Sequence, residues 1–237
     1  MSKVTISIYS GVLMNLQSCN GKYAKLIIFD MDSTLINAET IDELAKAAGV
    51  GDEVASITNY AMNGMMDYGD ALRKRVAMLQ GLSMKKALEA SDKMPYNQGV
   101  DELMEQIRAF GYRTAMISGG FTISADRIGR ELGMDYVYSN TLVIKDGVLA
   151  GEVTGPLTEH DSKEQILIQI AAQEGVDPEK CVVIGDGAND IQLFKKAGYR
   201  IAFNSKSVLQ QYADVVVDGN DLRKVIPVIE AINNGLL

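Results

Sequence analysis

Short apolar runs that end in an acid or a hydroxyl, separated by helical stretches, constrain this chain more than any other feature. Residues 24–30 read Ala-Lys-Leu-Ile-Ile-Phe-Asp, and segments 112–118, 181–186 and 199–203 are alike, with 213–217 as a fifth. Continuous apolar runs, unlike alternating ones, suit strands buried on both faces. Strands that alternate with helices predict an α/β fold, a Rossmann-like parallel sheet with helices on both faces. Ligands of such sheets gather beyond the carboxyl ends of the strands. Asp30, Ser118 and Asp186 all fall at those ends.

The alternation breaks between about residues 36 and 95, where nothing resembles a strand and helical signals dominate. They begin with Thr40-Ile41-Asp42-Glu43, which reads as a capping box. The expected organisation is an α/β core from residues 1–36 and 96–237 with a helical cap, 37–95, inserted after the first strand. Within 135–157, Val137, Leu142, Val143, Ile144, Val148 and Leu149 surround Asp146-Gly147, which predicts a small β-hairpin. Ser162-Lys163-Glu164-Gln165 resembles a second capping box and puts Lys163 in the first turn of a helix.

A formal net charge of −8 and a pI near 4.8 argue against a nucleic-acid partner, because phosphate backbones are held by clustered Lys and Arg. An anionic small molecule needs locally concentrated cations instead. The two cysteines, Cys19 and Cys181, imply neither a disulfide framework nor a metal site and suit a reducing cytoplasm. No apolar stretch is long enough for a membrane span. Leu16-Gln17-Ser18-Cys19 has the outline of a lipoprotein cleavage site, but Gln17 fits poorly and Ser10, Gly11 and Asn15 interrupt the preceding run. A frayed or strand-like extension of the core is the simpler expectation, in a monomer or homodimer.

Asp30-Met31-Asp32-Ser33-Thr34 places two carboxylates just past a buried strand. One carboxylate can attack phosphorus while the other protonates the leaving alkoxide and later activates water. Gly185-Asp186-Gly187-Ala188-Asn189-Asp190 adds acids at another strand end, so that Asp30 and Asp186 are candidate ligands for Mg²⁺, which takes oxygen donors. Ser118-Gly119-Gly120-Phe121 offers a hydroxyl and free N–H groups where a strand gives way to a helix, and Lys163 offers a positive charge for phosphoryl oxygens. Each segment alone reads more simply as a turn, a cap or a solvated surface. Together they supply a nucleophile, an acid, metal ligands and a phosphate clamp.

Asp30-x-Asp32-Ser33-Thr34, Ser118-Gly119-Gly120, Lys163 and Gly185-Asp186-Gly187-x-Asn189-Asp190 resemble, in order, the four motifs of the haloacid dehalogenase (HAD) superfamily. Residues 29–36, Glu39-x-Ile41-Asp42-Glu43 and Leu72-Arg73-Lys74-Arg75-Val76 are similar to its phosphoserine phosphatases. The resemblance spans about residues 25–222. It implies a HAD-like core and Mg²⁺-dependent hydrolysis of O-phospho-L-serine through a phosphoaspartate, the last step of serine biosynthesis. It makes Asp30 the nucleophile, Asp32 the acid and then base, and Ser118, Gly119 and Lys163 the phosphate ligands. It gives Mg²⁺ to Asp30, the Asp32 carbonyl and Asp186, places Asn189 beside the phosphate, and has Asp190 orient the lysine. Glu39 would take the substrate ammonium and Arg75 its carboxylate, although read alone they are a helix-start acid and part of a solvated basic face.

The chain departs from that pattern at Glu164, which adds negative charge beside Lys163, at Tyr68, and in an N-terminal extension to about Gly21. Of Met62, Met65, Met66 and Tyr68, at most two are expected to touch substrate, since methionines at helical spacing are usually core. His160 reads as a solvent-exposed loop residue. Two other readings stand beside the leading one. The same chemistry suits another small metabolite, such as phosphohomoserine or phosphothreonine, and a non-catalytic phospho-acceptor domain would use the aspartate without the acid two residues on.

Overall fold

The computed structural model of the chain describes residues 5–7 and 12–15 by backbone alone, and 26–62, 65–159 and 162–237. Cys19 and His160 lie outside the described residues, as does the side chain of Met62.

The strands are β1 (Thr5–Ser7), β2 (Val12–Asn15), β3 (Leu26–Phe29), β4 (Arg113–Phe121), β5 (Tyr136–Lys145), β6 (Val148–Thr154), β7 (Val182–Gly185), β8 (Tyr199–Phe203) and β9 (Val215–Val217). They form one nine-stranded sheet in the order β1-β2-β9-β8-β7-β3-β4-β5-β6. The run from β9 to β5 is parallel, while β1 and β2 on one side and β6 at the other edge pair antiparallel. β3 is flanked on one side by β4, which follows it, and on the other by β7, to which the chain returns later. Strand order therefore reverses at β3, and a crevice opens beyond its carboxyl end.

Strand burial follows the apolar runs: β3 and β7 are buried throughout. One sheet face carries Ile27, Phe29, Val182, Ile184, Ile201 and Phe203; the other carries Leu26, Ile28, Val183 and Ala202 against Ile166, Leu167, Ile170 and Phe194. The period of two along each strand explains the division. Helices α1 (Thr40–Ala48), α2 (Gly51–Met62), α3 (Tyr68–Ala77) and α4 (Met84–Asp92) occupy the segment expected to be helical, and the described residues between Ile36 and Pro95 include no strand. The chain enters and leaves this segment side by side: Asn37 N–H bonds the Pro95 carbonyl at 2.8 Å and Asn97 N–H bonds the Leu35 carbonyl at 2.9 Å. A third core, built from Leu44, Val54, Leu72, Val76 and Leu79, takes in Leu142 and Leu149 of the hairpin and Phe121.

The remaining helices are α5 (Val100–Ala109), α6 (Thr122–Glu131), α7 (Ser162–Glu174), α8 (Ile191–Lys196), α9 (Ser207–Gln210) and α10 (Ile226–Asn233). The hairpin forms as expected, with Asp146 and Gly147 at φ of 51° and 76°, the left-handed pair a two-residue turn requires. Its first strand does more than the pattern predicts, because 136–138 also joins the parallel sheet beside β4. That register is carried by Tyr-Val-Tyr, too short a run to read as a buried strand.

Both expected capping boxes are replaced by other bonds. Glu39 holds the N-cap position of α1 without a side-chain cap, and the hydroxyl of Thr40 bonds Asp32 instead. The Ser162 hydroxyl turns back to the Glu159 carbonyl at 2.8 Å. Strand β4 also runs on through Ser118, Gly119 and Gly120 to Phe121, with a register shift against β5, so the helix begins only at Thr122.

Phe194 is fully buried between α7 and the sheet. Phe194→Ala is expected to cost about 3–5 kcal/mol, read as a lower urea midpoint at unchanged slope.

Candidate active site

Asp30 leaves β3 still bound to the sheet, its N–H donating to the Ile184 carbonyl at 3.0 Å. It is 2 % exposed, and three donors meet its carboxylate. Met31 N–H reaches Oδ1 at 2.7 Å, Asn189 Nδ2 reaches Oδ2 at 2.9 Å, and Lys163 Nζ lies 2.8 Å from Oδ2. Past Asp30 the chain makes one tight turn, in which the N–H groups of Leu35 and Ile36 bond the Met31 carbonyl and Ser33 takes a φ of 57°. Buried Asn97 braces this turn, its amide donating to the Thr34 carbonyl at 2.8 Å.

Lys163 is 4 % exposed and also donates to Asp190 Oδ1 at 2.8 Å. Burial works against its charge, but Asp190 and Asp30 outweigh burial and raise its pKa above the ordinary lysine range. The second Asp190 oxygen accepts the N–H groups of Asp186 and Gly187. Gly185 makes this possible, because a Cβ there would sit 2.3 Å from that oxygen.

Asp30, Asp186 and Asp190 bring carboxylate oxygens within 4.8 Å of one another, all buried. One lysine does not balance three acids. Burial first, then Asp30 and Asp190, push Asp186 up to about 8, and burial and Asp30 hold Asp190 at about 6 against the pull of Lys163. An all-oxygen, over-acidic pocket suits a hard divalent cation.

Asp32 stands across the crevice. Burial, then Glu39, raises its pKa well above the carboxylate range, with Asp30 adding to the rise and Thr40 opposing it. Its Oδ2 lies 3.1 Å from where a Cβ of Gly120 would be, and the buried Ser118 hydroxyl lies 3.0 Å from the same point. Ser118 Oγ accepts the Gly120 N–H at 2.9 Å. Gly119 is fixed from behind by fully buried Asn140, whose amide donates to the Gly119 carbonyl at 3.2 Å and the Leu157 carbonyl at 3.1 Å. In front, the Tyr68 hydroxyl of α3 comes so near that a Cβ on Gly119 would be 2.5 Å from it.

Glu39 joins the cluster through the Ser33 hydroxyl, which donates to Oε1 at 2.6 Å, and burial raises its pKa. Arg75 lies farther out on α3, its guanidinium donating to the Ala71 carbonyl at 3.3 Å and the Thr58 hydroxyl at 3.5 Å. It makes no ion pair among the described residues. Tyr68 links it to the centre: burial raises the phenol pKa, while Lys163, Arg75, Asp30 and Asp32 all act on it. Met65 is 56 % exposed, and Met66 is partly buried. Glu164 points away from the clamp to Lys196, 3.4 Å from its Nζ.

The structure thus gathers Asp30, Asp32, Glu39, Ser118, Gly119, Lys163, Asp186, Asn189 and Asp190, with Arg75 one layer out. Sequence reasoning missed the roles of Thr40, Asn97 and Asn140, whose work is done by bonds to partners that no local pattern marks. It also missed Lys206, whose N–H bonds the Asp186 carbonyl at 2.9 Å and whose charge acts on Glu39 and Asp186. Its place just past β8 was the one available signal.

Residues 24–198 match the family model described as haloacid dehalogenase-like hydrolase, and the chain belongs to that family. Within the family its similarity is to phosphoserine phosphatases. The one from Methanocaldococcus jannaschii is 44 % identical over 209 residues, 88 % of this chain and 99 % of that protein. The Streptococcus thermophilus phosphatase is 39 % identical over 207 residues, 87 % and 96 % of the two chains. A solved substrate-bound phosphoserine phosphatase complex matches with a TM-score of 0.83 at 43 % identity, covering 88 % of this chain and 99 % of that one. A phospho-aspartyl intermediate analogue of a phosphoserine phosphatase also gives 0.83, at 44 % identity and 87 % and 99 % coverage.

Without a divalent cation, Asp186 keeps a proton in the folded protein up to about 8 that the unfolded chain loses near 3.8. The unfolded state then binds fewer protons in that window, so stability should fall as pH rises through it. Added Mg²⁺ competes with the proton and should stabilise more at the upper end. Urea unfolding across pH in EDTA and in Mg²⁺ checks this; two parallel curves would contradict it.

Proposed function

We propose that this protein is a Mg²⁺-dependent phosphoserine phosphatase, which releases phosphate from O-phospho-L-serine in the last step of serine biosynthesis. The observation that carries the reading is the Asp30 carboxylate held by Lys163, Asn189 and the Met31 N–H at the point where strand order reverses. The high pKa of Asp32, two residues on, supports it. The names of the relatives supply the substrate.

Asp30 attacks phosphorus, and the ester P–O bond breaks as Asp32 gives its proton to the departing serine oxygen. Water then attacks the phospho-Asp30, losing a proton to Asp32, and phosphate departs with the Asp30 carboxylate restored. Ser118 Oγ, the Gly119 N–H and Lys163 bind the phosphoryl oxygens and balance the charge that develops there. Asp30, Asp186 and the Asp32 carbonyl would hold Mg²⁺, which when bound offsets repulsion between the attacking carboxylate and the anionic ester. Asn189 keeps Asp30 aligned, and Asp190 keeps Lys163 pointed inward.

We assign residues 37–95 as a cap over the crevice, with Glu39 for the substrate ammonium and Arg75 for its carboxylate. An arginine whose partners among the described residues are a carbonyl and a hydroxyl suits an incoming carboxylate. Glu39 keeps Oε2 free of the Ser33 bond. Location in the cytoplasm as a monomer or homodimer completes the reading; among the described residues no helix is long and apolar enough to cross a membrane.

Phosphate release by purified protein with Mg²⁺ should favour O-phosphoserine over phosphoglycolate and sugar phosphates; preference for an ester lacking the amine would overturn the roles of Glu39 and Arg75. Asp30→Asn should leave no measurable turnover, and Asp32→Asn should slow it by about 10²–10⁴, the usual worth of a positioned acid and base. Arg75→Ala should lower kcat/KM for O-phosphoserine about 100-fold, as loss of hydrogen bonds to a charged group implies.

A further inference from the structure

Thr40 opens α1, yet its hydroxyl is turned away from the helix. It is fully buried, and its hydroxyl donates to Asp32 Oδ1 at 2.5 Å. Its backbone N–H bonds the same carboxylate. The other oxygen, Oδ2, is the one facing Gly120 and Ser118. One end of Asp32 is therefore tied to the helix and the other is aimed into the crevice. Glu39, the preceding residue, ties the same loop a second time through Ser33.

A carboxylate on a single Cβ can swing between staggered rotamers, and a proton donor displaced by about 1 Å loses most of its effect. We propose that Thr40 is the positioning residue for Asp32: by holding Oδ1 it leaves Oδ2 as the oxygen that gives and takes the proton. The inference rests on the proposed chemistry, though not on the identity of the substrate. Since Glu39 and Thr40 are consecutive, the residue assigned to the substrate amine and the residue that aims the acid move as one piece.

The test uses p-nitrophenyl phosphate, whose leaving group departs without a proton. Formation of phospho-Asp30 from it does not need Asp32, whereas hydrolysis of phospho-Asp30 does. Thr40→Val keeps the shape and removes the hydroxyl. It should retain a rapid burst of p-nitrophenolate while steady-state kcat falls about 30–100-fold and KM falls with it, so that kcat/KM for the aryl ester, which reports formation of phospho-Asp30, stays nearly constant. Thr40→Ser should restore kcat to within about threefold, since it returns the hydrogen bond. Thr40→Ala, which cannot overpack the site, should behave as Thr40→Val does, and thermal unfolding verifies that each variant is folded. Unchanged kcat in folded Thr40→Val and Thr40→Ala would overturn the proposal, as would equal loss of burst and steady state. The ratio is read on the aryl ester, so failure to hydrolyse O-phosphoserine would sink the substrate assignment alone.

Discussion

A buried lysine held between two buried aspartates is the interaction on which this site depends. Lys163 can stay charged out of water only because Asp30 and Asp190 lie 2.8 Å from its ammonium, and those acids tolerate burial only with Lys163 between them. The arrangement joins three separate elements, the end of β3, the first turn of α7 and the short turn after β7. Surplus acidity remains after that pairing. It is what makes the pocket receptive to a divalent cation.

Around this ion cluster the protein places rigid supports and not flexible loops. Asn97 and Asn140 each satisfy several backbone groups at once, fixing the turn after Asp30 and the Gly119 carbonyl. Buried amides used in this way over-determine the local backbone, so the positive φ of Ser33 is sustained by its surroundings. Glycines at 119, 120 and 185 mark where neighbouring oxygens crowd the main chain, each for a contact that any side chain would block. Chemistry and packing here impose the same requirement.

Much of this was legible in the sequence, because a buried parallel strand and a motif at its carboxyl end are local signals. The runs at 24–30 and 181–186 located Asp30 and Asp186, and Asp146-Gly147 located the hairpin. What stayed hidden was set by partners far along the chain. Thr40 and Ser162 looked like helix caps because local pattern says nothing of an aspartate waiting nearby or a carbonyl behind. Residues 136–138 carry no strong strand pattern and join the sheet only because β4 offers an open edge. Asn97 and Asn140 are ordinary residues in sequence, and only the carbonyls they meet give them a role.

The placement of β3 in the middle of the sheet has a consequence for how the molecule is made. Its partner β7 lies far downstream, and Asn189 meets Asp30 across 159 residues of chain. During synthesis one edge of β3 must wait bare and apolar until residues 182–185 emerge to cover it. A growing chain of this kind is exposed to sticking to its neighbours, and a chaperone that shields that strand would act on the step where the protein is most easily lost.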